Sequence, residues 1–255
     1  MSDNAPVVTA DLHQPPRSAR APMSLVREPA PLGSDRYGPF GRVAKRGIDL
    51  VLSALLLVAL LPVLVVIGLV VRSTSPGPAL FRQTRIGYKE QPFTIYKFRT
   101  MATDNDPDEH RQFVQAMLRG QIPTVADDGR ELPEGRRETV FKLVDDPRVT
   151  PLGEWLRANS LDELPQLLNV LRGEMSLVGP RPTLDYEVSE YQPHHRRRAS
   201  SMPGMTGLWQ VGGRSDLHMT EALDLDVVYV ETCSLRGDLG ILARTLKVVV
   251  RGTGV

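Results

Sequence analysis

Two adjacent carboxylates, Asp162 and Glu163, lie in the segment Ser160–Pro165. Ser160 and Glu163 have the spacing of a capping box, in which each side chain accepts a hydrogen bond from a backbone N–H of the first helical turn. Pro165 favours a later helix start, with both acids on the turn before it, because a proline beyond the first turn removes a backbone hydrogen bond. In either arrangement the positive end of a helix dipole keeps Asp162 ionised. An ionised carboxylate there could act as a nucleophile or as a metal ligand.

Basic residues that could meet a phosphate occur on both sides of the two acids. Arg157 lies shortly before them, and Arg181 stands after them between two prolines that fix its backbone. A planar guanidinium suits a bidentate phosphate contact. Lys97 and Arg99 would put two cations on one face of a predicted strand, where they could reach a phosphate. The alternative for this pair is a solvated strand face.

The composition fits one domain with tails. The chain has 255 residues, a formal net charge of +1 and one cysteine, Cys233. This charge gives no strong field for binding nucleic acid, and a single cysteine excludes an internal disulfide or a cysteine-based metal site. Residues 1–40 are rich in proline, alanine, serine and arginine without an apolar period, which predicts a disordered tail. They also lack the apolar core of a secretory signal.

An uncharged apolar run occupies residues 50–71 and, at about 1.5 Å per helical residue, is long enough to cross a bilayer core. A spanning helix is the simplest interpretation. Pro62 near the middle, and basic residues on both flanks, favour instead a re-entrant membrane helix over 41–73 that bends at Pro62. That arrangement leaves both flanks in the cytoplasm. On the first flank one acid is expected to pair at the interface with two basic neighbours, Asp49 with Lys45 and Arg46.

Residues 74–255 are predicted to form a cytoplasmic catalytic domain of mixed α and β structure that is predominantly helical. Aromatic and β-branched residues over 81–88 and 93–100 predict a small β-hairpin. The segment 121–138 is charged and contains prolines and glycines, which predicts a mobile insertion. An apolar repeat from Ile241 to Val250 predicts a C-terminal amphipathic helix, which either docks on the core or lies in the membrane interface.

Three further segments of this domain have weaker patterns. We interpret Gly173–Pro182 as a rigid turn that aims Arg181. Pro203–Arg214 is a glycine-rich loop that brings its backbone close to another group. His194–Arg198 is a basic run that is either solvated or in contact with anionic lipid. Its two histidines lack the helical spacing of metal ligands, so we do not predict a metal site there.

From Lys45 to the C-terminus the chain resembles the bacterial sugar transferases known as monotopic polyprenyl-phosphate phosphoglycosyl transferases. These enzymes initiate the assembly of exopolysaccharide, capsule, O-antigen and protein glycans. The order and the combined length of the matching motifs make the resemblance specific. In chain order the motifs are Lys45-Arg46-x-x-Asp49, residues 75–78, 81–83, 96–101, 146–150, Ser160–Gln166, Val178–Pro182, Pro203–Gly207 and Asp224–Asp226.

The resemblance implies a catalytic dyad in which Asp162 is the nucleophile and a magnesium ligand, with Glu163 beside it. It also implies that Arg181 binds phosphate and that Arg157 supports it. A further implication is a re-entrant helix bent at a Ser-Pro pair, and in this chain Leu61-Pro62 occupies that place without the serine.

The reaction implied by the resemblance is transfer of a sugar 1-phosphate from a UDP-sugar to undecaprenyl phosphate. It would proceed with Mg²⁺ through an aspartyl-phosphosugar and release UMP at the cytoplasmic face of the bacterial inner membrane. The expected partners are both substrates and inner-membrane lipids; a homodimer is allowed, and no nucleic acid is expected. Two alternatives stay open at this point, a polyprenyl-diphosphate phosphatase and a non-catalytic membrane scaffold of a polysaccharide assembly complex. The sequence does not define the sugar.

Overall fold

The computed structural model describes residues 32–102, 148–212 and 219–250, together with residues 111, 114, 115, 118 and 119. Within these residues the helices are α1 (Gly38–Thr74), α2 (Pro151–Ala158), α3 (Leu167–Arg172), α4 (Asp185–Ser189), α5 (Leu208–Gly212), α6 (Met219–Thr232) and α7 (Leu235–Val250). The strands are β1 (Leu80–Ile86), β2 (Pro92–Phe98), β3 (Ser176–Val178) and β4 (Gly204–Thr206). Four 3-10 turns cover Gly33–Tyr37, Tyr88–Glu90, Leu161–Gln166 and His195–Ser200. The described part is therefore mixed α and β and mostly helical, as predicted.

The predicted β-hairpin is confirmed. Strands β1 and β2 pair antiparallel, with Leu80 opposite Phe98 and Ile86 opposite Pro92. Each strand begins one residue earlier and ends two residues earlier than predicted. Ile95 and Phe98 turn their side chains into the core and anchor β2 there.

The second sheet was not predicted. Strands β3 and β4 pair parallel inside segments that we interpreted as a turn and a loop, because three residues are too few to show a strand period. The glycine-rich loop does bring its backbone close to another group, namely the end of β3. A Cβ added to Gly204 would lie 2.1 Å from the backbone nitrogen of Gly179. Only glycines allow these two segments to approach so closely.

The core lies between the second sheet, α3 and the C-terminal helices. Its buried apolar residues include Leu167, Val170, Leu177 and Val230. A separate buried cluster joins the end of α1 to β2 and α2 through Ile67, Val71, Phe98 and Leu156. The segment that carries the two acids lies between these clusters, because it directly follows α2 and directly precedes α3.

Helix α1 is long and apolar enough to cross a membrane by length and composition. It continues through Pro62 without a break in the helical segment, so the bend at Pro62 stays a prediction. Its buried positions share one face and lie near both ends of the apolar run: Asp49, Ser53, Ile67 and Val71. The other faces expose leucine and valine side chains from Leu50 to Val70.

The predicted boundary of the N-terminal tail at residue 40 is too late. Gly33–Tyr37 is a 3-10 turn, and α1 begins at Gly38. The Tyr37 hydroxyl donates to Asp238 at 2.8 Å, and Gly33 packs against Ser200, where a Cβ would lie 2.3 Å from a backbone oxygen. Such tertiary contacts have no periodic signature in the sequence. Residues 1–31 and the predicted insertion at 121–138 lie outside the described residues.

Candidate active site

Asp162 and Glu163 lie on the 3-10 turn Leu161–Gln166, which we call the dyad turn. The α-helix proper begins at Leu167, so the interpretation that placed both acids on a turn before the helix is confirmed. The capping box does not form. Ser160 has a left-handed backbone (φ 55°) and its side chain makes no cap hydrogen bond, because its N–H ends α2 by donating to the carbonyl of Arg157. Pro165 is tolerated because the first N–H groups of a helix lack intrahelical partners.

The two acids differ in exposure. Asp162 is 7% exposed, whereas the Glu163 side chain is 39% exposed and its Oε1 accepts from Lys97 Nζ at 2.6 Å. Lys97 is on β2, which packs along the dyad turn. On the adjacent helix α2, Arg157 donates through Nε to the Thr100 hydroxyl at 2.9 Å. Lys97 therefore contacts the dyad turn directly, whereas Arg157 contacts the segment that follows β2.

Arg181 follows β3, and side chains from two other segments hold its backbone. Its N–H donates to Asp226 Oδ2 at 3.3 Å, and its carbonyl accepts from Arg198 at 2.6 Å. Arg198 also pairs with Asp226, so these two buried residues hold the backbone of Arg181 on both sides of its Cα. Burial raises the pKa of Asp226 to about 6, with the charge of Arg198 acting in the opposite direction. Asp226 is thus ionised at neutral pH.

The side chain of Arg181 lies beside a buried acid on α4. Glu187 is 1% exposed, and its Oε1 lies 3.7 Å from Arg181 and 3.9 Å from Arg85. The Tyr191 hydroxyl donates to the other carboxylate oxygen at 3.4 Å. Glu187 therefore sits between two guanidinium groups, and its charge offsets their mutual repulsion.

Arg85 on β1 is a buried cation that sequence analysis did not select. Burial and, to a smaller extent, the charge of Arg181 lower its pKa to about 10, while Glu187 and Glu163 act in the opposite direction. The charges of Arg181 and Glu163 thus both act on one buried guanidinium. Arg85 Nη1 also donates to the carbonyl of Pro182 at 3.4 Å, so this guanidinium contacts the segment that contains Arg181.

A family model described as bacterial sugar transferase matches residues 40–252. The chain belongs to the bacterial sugar transferase family. Its relatives include the exopolysaccharide production protein ExoY of Sinorhizobium fredii, 38% identical over 216 residues that cover 85% of this chain and 89% of the relative.

Other relatives of this bacterial sugar transferase carry names that describe an activity. The UDP-glucose:undecaprenyl-phosphate glucose-1-phosphate transferase of Caulobacter vibrioides is 38% identical over 264 residues, covering 96% of this chain and 87% of the relative. The undecaprenyl-phosphate galactose phosphotransferase of Salmonella typhimurium is 38% identical over 213 residues. That match covers 84% of this chain and 42% of the relative, so this chain spans less than half the length of the Salmonella protein.

Arg99 does not lie on the same strand face as Lys97, and that part of the prediction is wrong. Strand β2 ends at Phe98, so strand alternation no longer sets the direction of the next side chain. The buried guanidinium of Arg99 donates to the carbonyl of Pro76 at 2.6 Å and to the carbonyl of Ser75 at 2.8 Å. Arg99 thereby fixes the segment by which the chain leaves α1.

The first motif, Lys45-Arg46-x-x-Asp49, lies at the base of α1, before the apolar run, and connects this helix to α3 and β3. Asp49 does not pair with its two basic neighbours at a membrane interface as predicted. It is buried and accepts from the backbone of Leu177 at 3.0 Å, because β3 packs on this turn of the helix. Lys45 donates to the carbonyl of Val178 at 3.1 Å, and Arg46 donates to that of Val170 at 2.6 Å.

The acids of the dyad turn match the ligand chemistry of magnesium. This ion prefers hard oxygen ligands and is commonly held by one or two carboxylates together with substrate phosphates. Asp162 and Glu163 are adjacent in sequence, and Glu163 already engages Lys97. The residues present therefore fit one ion bound by Asp162, with phosphate oxygens completing its coordination.

Sequence analysis missed four residues that shape this site: Arg85, Glu187, Arg198 and Asp226. Asp226 belongs to a motif that carried the family resemblance, and Arg198 belongs to the basic run, so part of the signal was present. Arg85 and Glu187 gave no signal. Each is an isolated charge whose partner is distant in the chain.

Proposed function

We propose that this transferase moves a sugar 1-phosphate from a UDP-sugar to undecaprenyl phosphate. The products are undecaprenyl-diphosphate-sugar and UMP. The observation that carries the proposal is the placement of a nearly buried carboxylate, Asp162, on a turn bordered by Lys97 and Arg157. The names of the Caulobacter vibrioides and Salmonella typhimurium relatives supply the lipid acceptor, and the former also supplies the UDP-linked donor. The relatives named ExoY support a place in exopolysaccharide production.

The first step is attack of an Asp162 carboxylate oxygen on the sugar-bearing phosphorus of the donor. A bond forms from that oxygen to phosphorus, and the bridging P–O bond breaks, so UMP leaves with the bond's electron pair. In the second step a phosphate oxygen of undecaprenyl phosphate attacks the same phosphorus and releases the Asp162 carboxylate. Total charge is the same before and after each step, so the reaction needs no net proton transfer. Splitting the transfer allows a shallow site to bind its substrates in turn.

Cations around the dyad turn lower the cost of bringing these anions together. Charge accumulates on the diphosphate oxygens during phosphoryl transfer, and preorganised donors stabilise it. Arg181 is the donor whose backbone and side chain are both held in place. Lys97 pairs with Glu163 on the dyad turn, and Arg157 lies on α2, which packs against that turn. Magnesium, held by Asp162, would neutralise further charge on the diphosphate when bound. Arg99 donates to the backbone carbonyls of Ser75 and Pro76, so we assign it a role in positioning α1 and not in binding phosphate.

The contacts of α1 support a monotopic arrangement at the cytoplasmic face of the inner membrane. Residues near the start of the apolar run (Asp49) and near its end (Val71) are both buried against the same domain. A helix that crossed the bilayer would hold these two turns at opposite faces of the membrane. The exposed leucines and valines between them would then contact the acyl chains of inner-membrane lipids.

The decisive assay measures UMP release by full-length protein in detergent or nanodiscs, with and without undecaprenyl phosphate. We expect release to depend on the lipid under multiple turnover and to disappear in Asp162→Asn, since an amide does not accept the phosphoryl group. Asp185→Asn, an exposed acid-to-amide change on α4, is the control. Residual turnover of Asp162→Asn near the control value would show that Asp162 is not the nucleophile.

The same assay separates the two alternatives. A phosphatase would release inorganic phosphate from undecaprenyl diphosphate without any UDP-sugar, because water would discharge the intermediate. A scaffold would show neither activity, and Asp162→Asn would leave polysaccharide production intact in cells. Comparing UMP release from different UDP-sugars would identify the sugar that is transferred.

Topology is tested with single cysteines at positions 18 and 215 in a Cys233→Ser background. A membrane-impermeant thiol reagent is applied to intact and then to permeabilised spheroplasts. The monotopic arrangement predicts that both positions are protected until the membrane is permeabilised. Labelling of position 18 alone in intact spheroplasts would establish a spanning helix and overturn this part of the proposal.

A further inference from the structure

Two histidines and an aspartate converge at the junction of the 3-10 turn His195–Ser200 with α6. The Nε2 atom of His194 lies 3.1 Å from Asp224 Oδ1, and that of His195 lies 3.0 Å from the same oxygen. All three ligand atoms lie within 4.8 Å of one another. The imidazole rings are tilted over each other, with 3.9 Å between their centroids. Side chains of consecutive residues usually point in different directions. Here the backbone at the start of the turn lets both imidazoles reach the same oxygen of Asp224.

The surrounding charges do not oppose a cation. Three arginines follow the histidines directly, and each has its own carboxylate partner. Arg196 pairs with Glu90, Arg197 with Glu231 and Arg198 with Asp226. The basic run is therefore largely neutralised, which also removes the basis for a free lipid-binding patch. Asp224 adds a negative charge at the point where the two imidazoles meet.

We propose that His194, His195 and Asp224 form a binding site for a borderline divalent transition ion, of which zinc is the best match. Zinc binds imidazole nitrogen at about 2.0–2.1 Å and carboxylate oxygen at about 2.0–2.2 Å, so tetrahedral ligand atoms lie roughly 3.3 Å apart. The observed separations from Asp224 need to increase by only a few tenths of an ångström. Imidazole ligands distinguish this site from the carboxylate-based magnesium site at the dyad turn.

The exposures of the three ligands suit an accessible ion. His195 is 4% exposed and fixed, whereas His194 is 46% and Asp224 58% exposed, so two ligands can adjust and solvent reaches the site. Water would complete the coordination. The site offers three protein ligands, which leaves room for such a water.

A bound ion would brace the peptide of Arg181. Asp224 lies two residues before Asp226 on α6, and His195 lies three residues before Arg198. Asp226 and Arg198 are the residues that grip the backbone of Arg181. Cross-linking the two segments would therefore hold that pair together, which is a stabilising role separate from the transfer chemistry.

The test uses full-length protein purified without a histidine tag, stripped with a chelator and kept in excess Mg²⁺. Calorimetric titration with Zn²⁺ is expected to show one equivalent bound, and Co²⁺ should give the visible absorption of a four-coordinate nitrogen and oxygen site. His194→Asn and Asp224→Asn should each weaken Zn²⁺ binding at least tenfold. Both side chains are about half exposed, so these variants are expected to fold.

Two controls and a second readout complete the experiment. His110→Asn and Asp185→Asn should bind Zn²⁺ as the wild type does. Zn²⁺ should raise the thermal midpoint of the wild type but not that of His194→Asn. Three results would each overturn the proposal: absence of Zn²⁺ binding to the wild type, wild-type Zn²⁺ affinity in both site variants, or a thermal shift in His194→Asn equal to that of the wild type.

Discussion

Replacing Glu187 with glutamine should disturb the site without touching any group that reacts. The change keeps the shape of the side chain and removes its charge. At an effective dielectric constant of about 20, a unit charge 3.7 Å or 3.9 Å away contributes about 4 kcal/mol, so the contacts with Arg181 and Arg85 are both substantial. The desolvation of a carboxylate that is 1% exposed offsets much of this gain. Breaking a buried pair costs about 3–5 kcal/mol in measured cases.

We expect a loss of about 3 kcal/mol in the free energy of unfolding, at the lower end of that range, because the Arg181 side chain is 22% exposed and water screens part of its charge. For a chain of this size that corresponds to a fall of roughly 6–12 °C in the thermal midpoint. Arg181 also loses the charge that positions it. If about 1–2 kcal/mol of its transition-state contact disappears, kcat/KM for the UDP-sugar falls about 5- to 30-fold.

The assay measures kcat/KM for UMP release well below the lowered midpoint, so that unfolding does not contribute. Asp185→Asn is the matched control because it is an exposed acid on the same helix. Glu187→Asp keeps the charge at a greater distance and should recover part of the activity. Kinetic constants and a midpoint for Glu187→Gln equal to those of the control would refute the role of Glu187 in positioning Arg181.

Three other predictions concern Arg181, Gly204 and Asp226. Arg181→Lys should reduce kcat/KM on the order of 10²-fold while thermal stability stays close to wild type, because the backbone contacts of residue 181 remain; unchanged kinetics would place Arg181 outside the site. Gly204→Ala should cost about 3 kcal/mol of stability, because its Cβ would lie 2.1 Å from the backbone nitrogen of Gly179. In the control, Gly240→Ala on α7, the added Cβ meets nothing within 4 Å, so this variant should be neutral or stabilised by about 0.5–1 kcal/mol. Equal melting curves for the two variants would contradict this prediction. Activity should fall as pH drops through about 6, where Asp226 gains a proton and its contacts with Arg198 and Arg181 weaken. Because folding raises the pKa of Asp226, the folded state binds this proton more tightly than the unfolded state, so acid does not unfold the protein through this group. The loss should therefore appear in kcat/KM and not in the thermal midpoint.

The sequence predicted the elements that have a period or a strong local signal. The hairpin was found because aromatic and β-branched residues fill two neighbouring segments. The dyad turn was found because Pro165 conflicts with a helix that starts at Ser160. Strands β3 and β4 were missed because each has three residues, and a glycine needed for a close backbone approach looks the same as one in a loop.

Electrostatic partners were the least predictable part of the candidate site. Arg85 on a strand and Glu187 on a short helix each look like solvated surface charges, and only the fold shows that burial joins them. Arg99 was misplaced because the strand alternation was extended one residue beyond Phe98, the last residue of β2. The histidines gave a negative metal prediction based on helical spacing, but that spacing could not show that both rings meet Asp224 of α6, a residue distant in the chain. Tertiary contact, which no local pattern encodes, decided each of these cases.

The base of α1 explains how a membrane helix and a catalytic site can share one rigid frame. Arg46 binds the carbonyl end of α3, the helix that follows the dyad turn, while Asp49 binds the backbone of β3, the strand that leads to Arg181. One helical turn of α1 thus fixes the two segments that, in the proposed mechanism, act on the same phosphorus. In the proposed reaction the acceptor arrives from the bilayer and the donor from the cytosol, so a displacement of α1 relative to the site would misalign the second step. A buried carboxylate in the first turns of an apolar helix is costly unless it is hydrogen-bonded, and the contact between Asp49 and β3 meets that requirement by joining the membrane helix to the catalytic domain.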